Sequence, residues 1–250
     1  MGAENDNDAI LSEHVRAAAR TASPYHWDVI GWMSDILSWR RDEVMAYYKT
    51  YYAPNNAVLI LVGDFEPGKA LDLIRKHYAP IPAGPPPPPV STVEPPQMGP
   101  KEVVIHKEAQ APSYLMVFHA PNAASADFAP LAVLDLILLN GESSRLHKRL
   151  VRDEQLALSV SGGTQETIDP HLFWIDVKPR PGVDLDKLQS VVLEELEKIK
   201  SAGVTEAELQ KAKNAIKSGF YFGMQSINGK AGQLGPSEIL YGSYEHMFTE

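Results

Sequence analysis

Between Pro80 and Pro100 the chain reads PIPAGPPPPPVSTVEPPQMGP, a stretch that holds ten of the twenty prolines, Pro85–Pro89 among them without a break. No helix or central strand can pass through it, because each proline fixes φ at about −65° and lacks the N–H that either element needs. Extended polyproline II is the conformation that remains. At about 3.1 Å per residue the stretch reaches up to about 60 Å, whereas a 100-residue domain has a radius of gyration of about 13 Å. The expected organisation is therefore two globular parts, residues 1–79 and 101–250, with 80–100 as the spacer.

Composition narrows the function classes. A formal charge of −9 argues against a broad nucleic-acid or anionic-membrane surface, since both need clustered Lys and Arg. The chain has no cysteine, so a disulfide framework, a thiolate metal site and a cysteine nucleophile are all excluded. No apolar run is long enough to span a bilayer, and the acidic start MGAENDNDAI has neither the basic nor the apolar region of a signal peptide. Cytoplasm and periplasm both fit this reading.

Helical periodicity runs from Ala9 to Ala19, with Asp8 as a candidate N-cap, and Ser23-Pro24 is read as its end. The stretch YHWDVIGWMSDIL is aromatic and irregular. Ser38 is placed to cap a helix over Arg40–Tyr52, and Pro67 to start one through Tyr78. Between them AVLILVG, Ala57–Gly63, has the unbroken apolar character of a buried strand. Beyond the spacer, strands are expected at Glu102–His106, Tyr114–His119, Leu156–Ser161 and Leu172–Val177. Helices are expected at Asp127–Leu139, Ser143–Asp153, Leu185–Lys200 and from Thr205 to at least Phe220, the last opened by a Thr205/Glu208 capping box. The glycine-rich final thirty residues, broken by Pro236, give no firm pattern. Mixed helices and strands on both sides of the spacer give an α+β fold class.

Common chemistries fail on spacing. The eight histidines contain no pair four apart, the spacing that aims two imidazoles from one helix face at a zinc ion. Gly141-Glu142-Ser143-Ser144-Arg145 begins like a nucleophile elbow but has Arg145 where the second glycine is required. GMQSINGKA, residues 223–231, imitates a phosphate loop with one residue too many and no hydroxyl after Lys230. The acidic LEELEK is a solvated helix face, with Glu194 placed to pair with Lys198. The proline run could be a ligand for polyproline-binding grooves, although globular sequence on both sides favours a spacer.

Two regions carry a resemblance. SPYHWDVIGWMSD with YYAPNNAVLILVGD, and GESSRLHKRLVRDEQLALSV from Gly141 to Val160, resemble the later part of the first half and the early part of the second half of the M16 peptidases, the pitrilysin, insulinase and mitochondrial processing peptidase family. The resemblance extends over nearly the whole chain. It implies two related LuxS/MPP-like α/β sandwich halves that close over a peptide or unfolded polypeptide. The family's zinc site needs a His-x-x-Glu-His helix and a distal glutamate, and this sequence contains neither. The chain is thus expected to begin after the catalytic apparatus and to stop before the last elements of the second half. It is expected to carry no catalytic residue, no metal ligand and no cofactor of its own, zinc belonging to the complete enzyme. Its implied partners are a polypeptide substrate and an active M16 subunit, or a second copy as a homodimer. The arginine and tyrosine that hold peptide in active members fall at Val151 and Leu158, so Arg145 and Arg152 are the substrate-contact candidates.

Overall fold

The computed structural model describes residues 6–248, so the first five residues of the acidic start lie outside it. Two units result, one of residues through Trp27 together with Glu94–Gly219, the other of Asp28–Val93 together with residues from Phe220 on.

In the first unit a three-stranded antiparallel sheet is formed by Tyr114–Ala120 (β1), Ala157–Gly163 (β2) and His171–Pro179 (β3). The order β1-β3-β2 makes β3 central and leaves β1 and β2 as edges. Alternation along β3 decides the two faces. Phe173, Ile175 and Val177 are at most 5% exposed and enter the main core, and Met116, paired with Ile175, joins them from β1. Trp174 faces the other way, beneath the Arg16 guanidinium at 6.0 Å, on the helix Asn7–Ala19 (α1).

The core face is covered by Phe128–Leu138 (α5) and Leu185–Ala202 (α6). On α6, Leu188, Val191, Val192, Leu196 and Ile199 recur at helical spacing and form the buried stripe. Each fully buried side chain of this size contributes about 1.5–3 kcal/mol. Asp184 caps α6, its carboxylate accepting from the Asp186 N–H at 3.0 Å. The expected capping box opens Glu206–Gly223 (α7): Thr205 N–H donates to Glu208 at 2.9 Å, and Glu208 N–H donates to Thr205 Oγ1 at 3.3 Å.

The second unit contains Met33–Ser38 (α2), Arg41–Tyr51 (α3), Pro67–Tyr78 (α4) and Ile227–Tyr241 (α8). Ser38 ends α2 instead of capping the next helix. At the start of α3 the Glu43 carboxylate accepts from the Arg40 N–H at 3.2 Å. Asp6, not Asp8, caps α1. The unread glycine-rich tail is helical: Ser226 Oγ accepts from the Gly229 N–H at 2.9 Å. Gly235 lets α8 lie against Ile60, where an added Cβ would stand 2.6 Å from Ile60 Cδ1. Packing here outweighs poor helix propensity.

Two expected strands do not form. Ala57–Gly63 makes no backbone hydrogen bond among the described residues, and Val58, Leu59 and Leu61 are 45%, 55% and 52% exposed. Glu102–His106 is extended, with Val103 and Ile105 half-buried, but it also lacks a ladder. Side-chain pattern reports which face is apolar, whereas a strand is completed only by a neighbour that pairs its N–H and C=O groups.

Between α4 and β1 the chain forms no helix or strand. It is nonetheless tied down near each end of the proline-rich stretch. Asn55 and Gly84 exchange two hydrogen bonds, at 3.2 and 2.9 Å. The Glu94 carboxylate accepts from the N–H groups of Thr21, Ala22 and Ser23 at 2.6–2.9 Å. Burial alone would raise the Glu94 pKa, but these three donors hold it below the usual carboxylate range.

Candidate functional site

The segment that carries both candidate arginines is the turn before β2. His147–Asp153 forms a π-helical turn, in which Glu154 N–H reaches Arg149 C=O at 2.9 Å. Leu146 and Leu150, four residues apart and fully buried, fix the inner face of this segment. Arg145 and Arg149, also four apart, then point together toward the carboxylates of α6 and α7, while Arg152 is left outward.

Arg145 is fully engaged. Its Nε and Nη2 donate to the two oxygens of Glu208 at 2.7 and 2.8 Å, and Nη2 also reaches Gly203 C=O at 3.3 Å. Nη1 stands 3.7 Å from Glu195. Such bidentate charged pairs are the strong class of hydrogen bond. Arg145 holds the Glu208 carboxyl down to about 2, and Glu208 in turn raises the arginine. Arg149 donates to Glu194 at 2.5 Å and Glu154 at 2.9 Å, and lies 3.4 Å from Glu195. The expected Glu194–Lys198 pair is replaced: Glu194 turns to Arg149, and Lys198 lies 3.2 Å from Glu195. Arg152, with a side chain 62% exposed, meets only the equally solvated Asp153, at 2.8 Å. Val151 packs against the core, and Leu158 is 55% exposed on β2. The structure therefore separates the two candidates: Arg145 is tied into a largely buried network, and Arg152 is accessible.

A feature that sequence reasoning missed lies at the open edge of β1. The segment from Lys101 to Glu108 runs beside β1 but does not touch its ladder. Lys101 Nζ and His119 Nε2 both meet the C-terminal end of α1, at Ala18 C=O and Ala19 C=O, each 2.8 Å away. Glu108 C=O and Ser113 Oγ both meet the N-terminal end, at Asn7 Nδ2 (3.0 Å) and Asp8 Oδ1 (2.8 Å). The segment and β1 are therefore antiparallel. A groove of about 1570 Å³ lies between them, lined by both along their length, with Ile10, Leu11 and Val15 of α1 and Leu185 and Leu193 of α6 as further walls. No sequence signal marks it, because it depends on a pairing that is not made.

Asp135, the one charged residue of α5, is another site invisible to pattern. Burial pushes its carboxyl up to about 6, against a hydrogen bond from the Thr164 N–H that lowers it, and Oδ1 has no hydrogen-bond partner among the described residues. The folded state therefore prefers the protonated acid. Stability is expected to rise as pH falls from about 6 toward the ordinary value of 3.8, and to be lost as pH rises through that interval. Asp135→Asn should remove this component, which is read as the difference in urea midpoint between the two proteins across the same pH range.

Among the described residues no group of three His, Asp or Glu side chains could hold a metal ion. His147, for example, is turned to the Glu142 C=O at 3.1 Å. No described helix is long and apolar enough to cross a membrane.

Comparison with known proteins agrees with this architecture. The sequence model of the peptidase M16 inactive domain matches residues 38–216. A zinc protease of Helicobacter pylori, PqqE, is 31% identical over 84% of this chain and 48% of its own length. The beta subunit of the mitochondrial-processing peptidase of Lentinula edodes is 23% identical over 94% of this chain and 53% of its own. The chain thus spans about half the length of these relatives. The crystal structure of a Helicobacter pylori protease superposes with a TM-score of 0.88 at 27% identity, over 99% of this chain and 62% of that one. A peptidase M16 inactive domain from Pseudomonas fluorescens, at 22% identity and a TM-score of 0.84 over 99% of this chain and 58% of that one, shares the fold. With the α+β architecture and most of the chain matched, this protein belongs to the peptidase M16 family, within the part described as its inactive domain.

Proposed function

We propose that this chain is the non-catalytic, substrate-enclosing portion of an M16-type zinc metallopeptidase, with residues 1–79 the remainder of one half, 80–100 the spacer and 101–250 most of the other. The match to the inactive domain over 38–216 carries the reading. Zinc fits no donor set of the described residues; in this reading the metal and the water it activates are supplied by other polypeptide. What this chain supplies is a wall. Within it Arg152 is the residue free to meet a peptide carboxylate or carbonyl, since Arg145 already spends its fork on Glu208.

A second reading is favoured by the relative named as a subunit: an inactive homologue that assembles with an active one. Both readings expect the purified chain to hold no stoichiometric zinc and to leave an unfolded polypeptide uncut. One tight zinc per chain, lost together with activity on chelation, would overturn both. Co-expression with an M16 chain that carries the His-x-x-Glu-His helix separates them from an unrelated role. Co-purification, with hydrolysis appearing only in the mixture, is the expected outcome.

A further inference from the structure

We infer that Pro85–Pro89 is a docking ridge for a partner domain whose groove is lined by aromatic side chains and carries no charge. A polyproline II helix repeats every three residues, so residues three apart share one of its three edges. Exposure follows that repeat. Gly84 and Pro87 are half-buried, whereas Pro85, Pro86, Pro88 and Pro89 are exposed. One edge is thus turned to the protein, and the two outward edges carry Pro85 with Pro88 and Pro86 with Pro89. Each is a PxxP pair, the spacing that aromatic grooves read on a preformed polyproline II helix.

The chain is anchored before and after the run. Gly84 exchanges hydrogen bonds with Asn55 at 3.2 and 2.9 Å, and it lies so near α3 that an added Cβ would stand 2.7 Å from Ala53 Cβ and 3.1 Å from Lys49 C=O. Downstream, the Glu94 carboxylate is fixed by its three N–H donors. Between these anchors residues 85–93 make no backbone–backbone hydrogen bond among the described residues, so their carbonyls stay open to donors on a partner. A ligand already held in its bound form loses less freedom on binding. Charge decides which grooves fit. From Pro80 to Val93 the sequence has no acidic or basic side chain, so a groove that needs an arginine or lysine beside the prolines gains nothing here. Val90 and Val93, 58% and 84% exposed, carry the apolar character past the run. The fitting partner is therefore a domain that packs aromatic rings on proline alone. Neither zinc nor the reading of the chain as an enclosing wall enters this inference.

The test uses the full chain and no hydrolysis assay. A recombinant domain with an aromatic groove, chosen because it binds fluorescein-labelled decaproline, is titrated with the chain, and displacement of the labelled peptide is read by anisotropy. Displacement is expected, with an affinity at least about threefold tighter than that of the free peptide PIPAGPPPPPVSTV. Pro88→Ser, on an outward edge, should weaken binding by about tenfold, and Pro87→Ser, on the inward edge, by less than about twofold. Asn55→Ala removes both bonds to Gly84 and should bring the chain to the affinity of the free peptide. Far-UV circular dichroism of each variant is expected to match the parent chain, which separates loss of the ridge from loss of the fold. Three results would each overturn the ridge. They are no displacement by the chain, equal losses from Pro87→Ser and Pro88→Ser, or a chain that binds no tighter than the free peptide.

Discussion

Arg145→Ala is expected to lower the stability of the unit formed around the three-stranded sheet by about 2–4 kcal/mol, the cost of stranding the carboxylates of a largely buried ion network. Side chains of Arg145, Glu195 and Glu208 are 17%, 9% and 31% exposed. Removing the guanidinium leaves Glu208 without its bidentate partner and brings Glu195 closer to an unpaired buried charge. Glu208 also reveals the mechanism through pH. Its pKa, held at about 2 in the folded chain, means that the pair contributes stability present above the ordinary value of 4.5 and lost as pH falls toward 2. In Arg145→Ala the larger part of that contribution disappears, the Thr205 hydrogen bonds to Glu208 remaining, so acid unfolding should begin at higher pH. Arg152→Ala is the contrasting case. Its solvent-exposed pair with Asp153 is screened by water, so the denaturant midpoint is expected to stay where it is. A loss of peptide binding without loss of stability would therefore identify Arg152 as a contact residue. Denaturant midpoints of the two variants decide the matter, and an unchanged midpoint for Arg145→Ala would contradict the network.

The second large effect is expected at Gly162. This residue of β2 adopts φ +143° and pairs with Ile175 on the central strand. A Cβ there would overlap the Trp174 carbonyl, which is backbone and cannot swing away. Strain of an L-residue in this region costs about 1–3 kcal/mol, and the overlap adds to it, so Gly162→Ala should destabilise by more than about 3 kcal/mol. Gly232 provides the internal comparison. It lies inside α8 with nothing near the position of an added Cβ, so Gly232→Ala should stabilise by about 0.5–1 kcal/mol. Thermal midpoints of opposite sign are expected from the same chemical change. Equal shifts would refute the close approach of β2 to β3.

Much of the local structure was legible because it is controlled by neighbours in sequence. Pro67 begins α4, Thr205 and Glu208 box the start of α7, and the stripe from Leu188 to Ile199 becomes the buried face of α6. The same local logic fails where completion depends on distant partners. Ala57–Gly63 and Glu102–His106 have the composition of strands but no ladder. The Glu194–Lys198 pair was reasonable on an isolated helix, yet Arg149 captures Glu194 from another element at 2.5 Å. Glycine and Pro236 left the tail without a firm pattern, but contacts such as Gly235 with Ile60 support α8.

From residues alone came most of the helices, though not α2 or α8, together with the α+β class, the interruption at Pro80–Pro100 and the M16 resemblance, since turn chemistry, periodicity and quoted motifs are all contained in short stretches. Only the tertiary structure could separate Arg145 from Arg152. Both are arginines of one short segment, and the difference is that Glu208, 63 residues away, arrives beside the first and nothing comparable beside the second. The open edge of β1 is of the same kind. Whether a strand's hydrogen bonds are met is a property of what stands next to it in space, and pairing partners are brought together by the fold rather than by the order of residues.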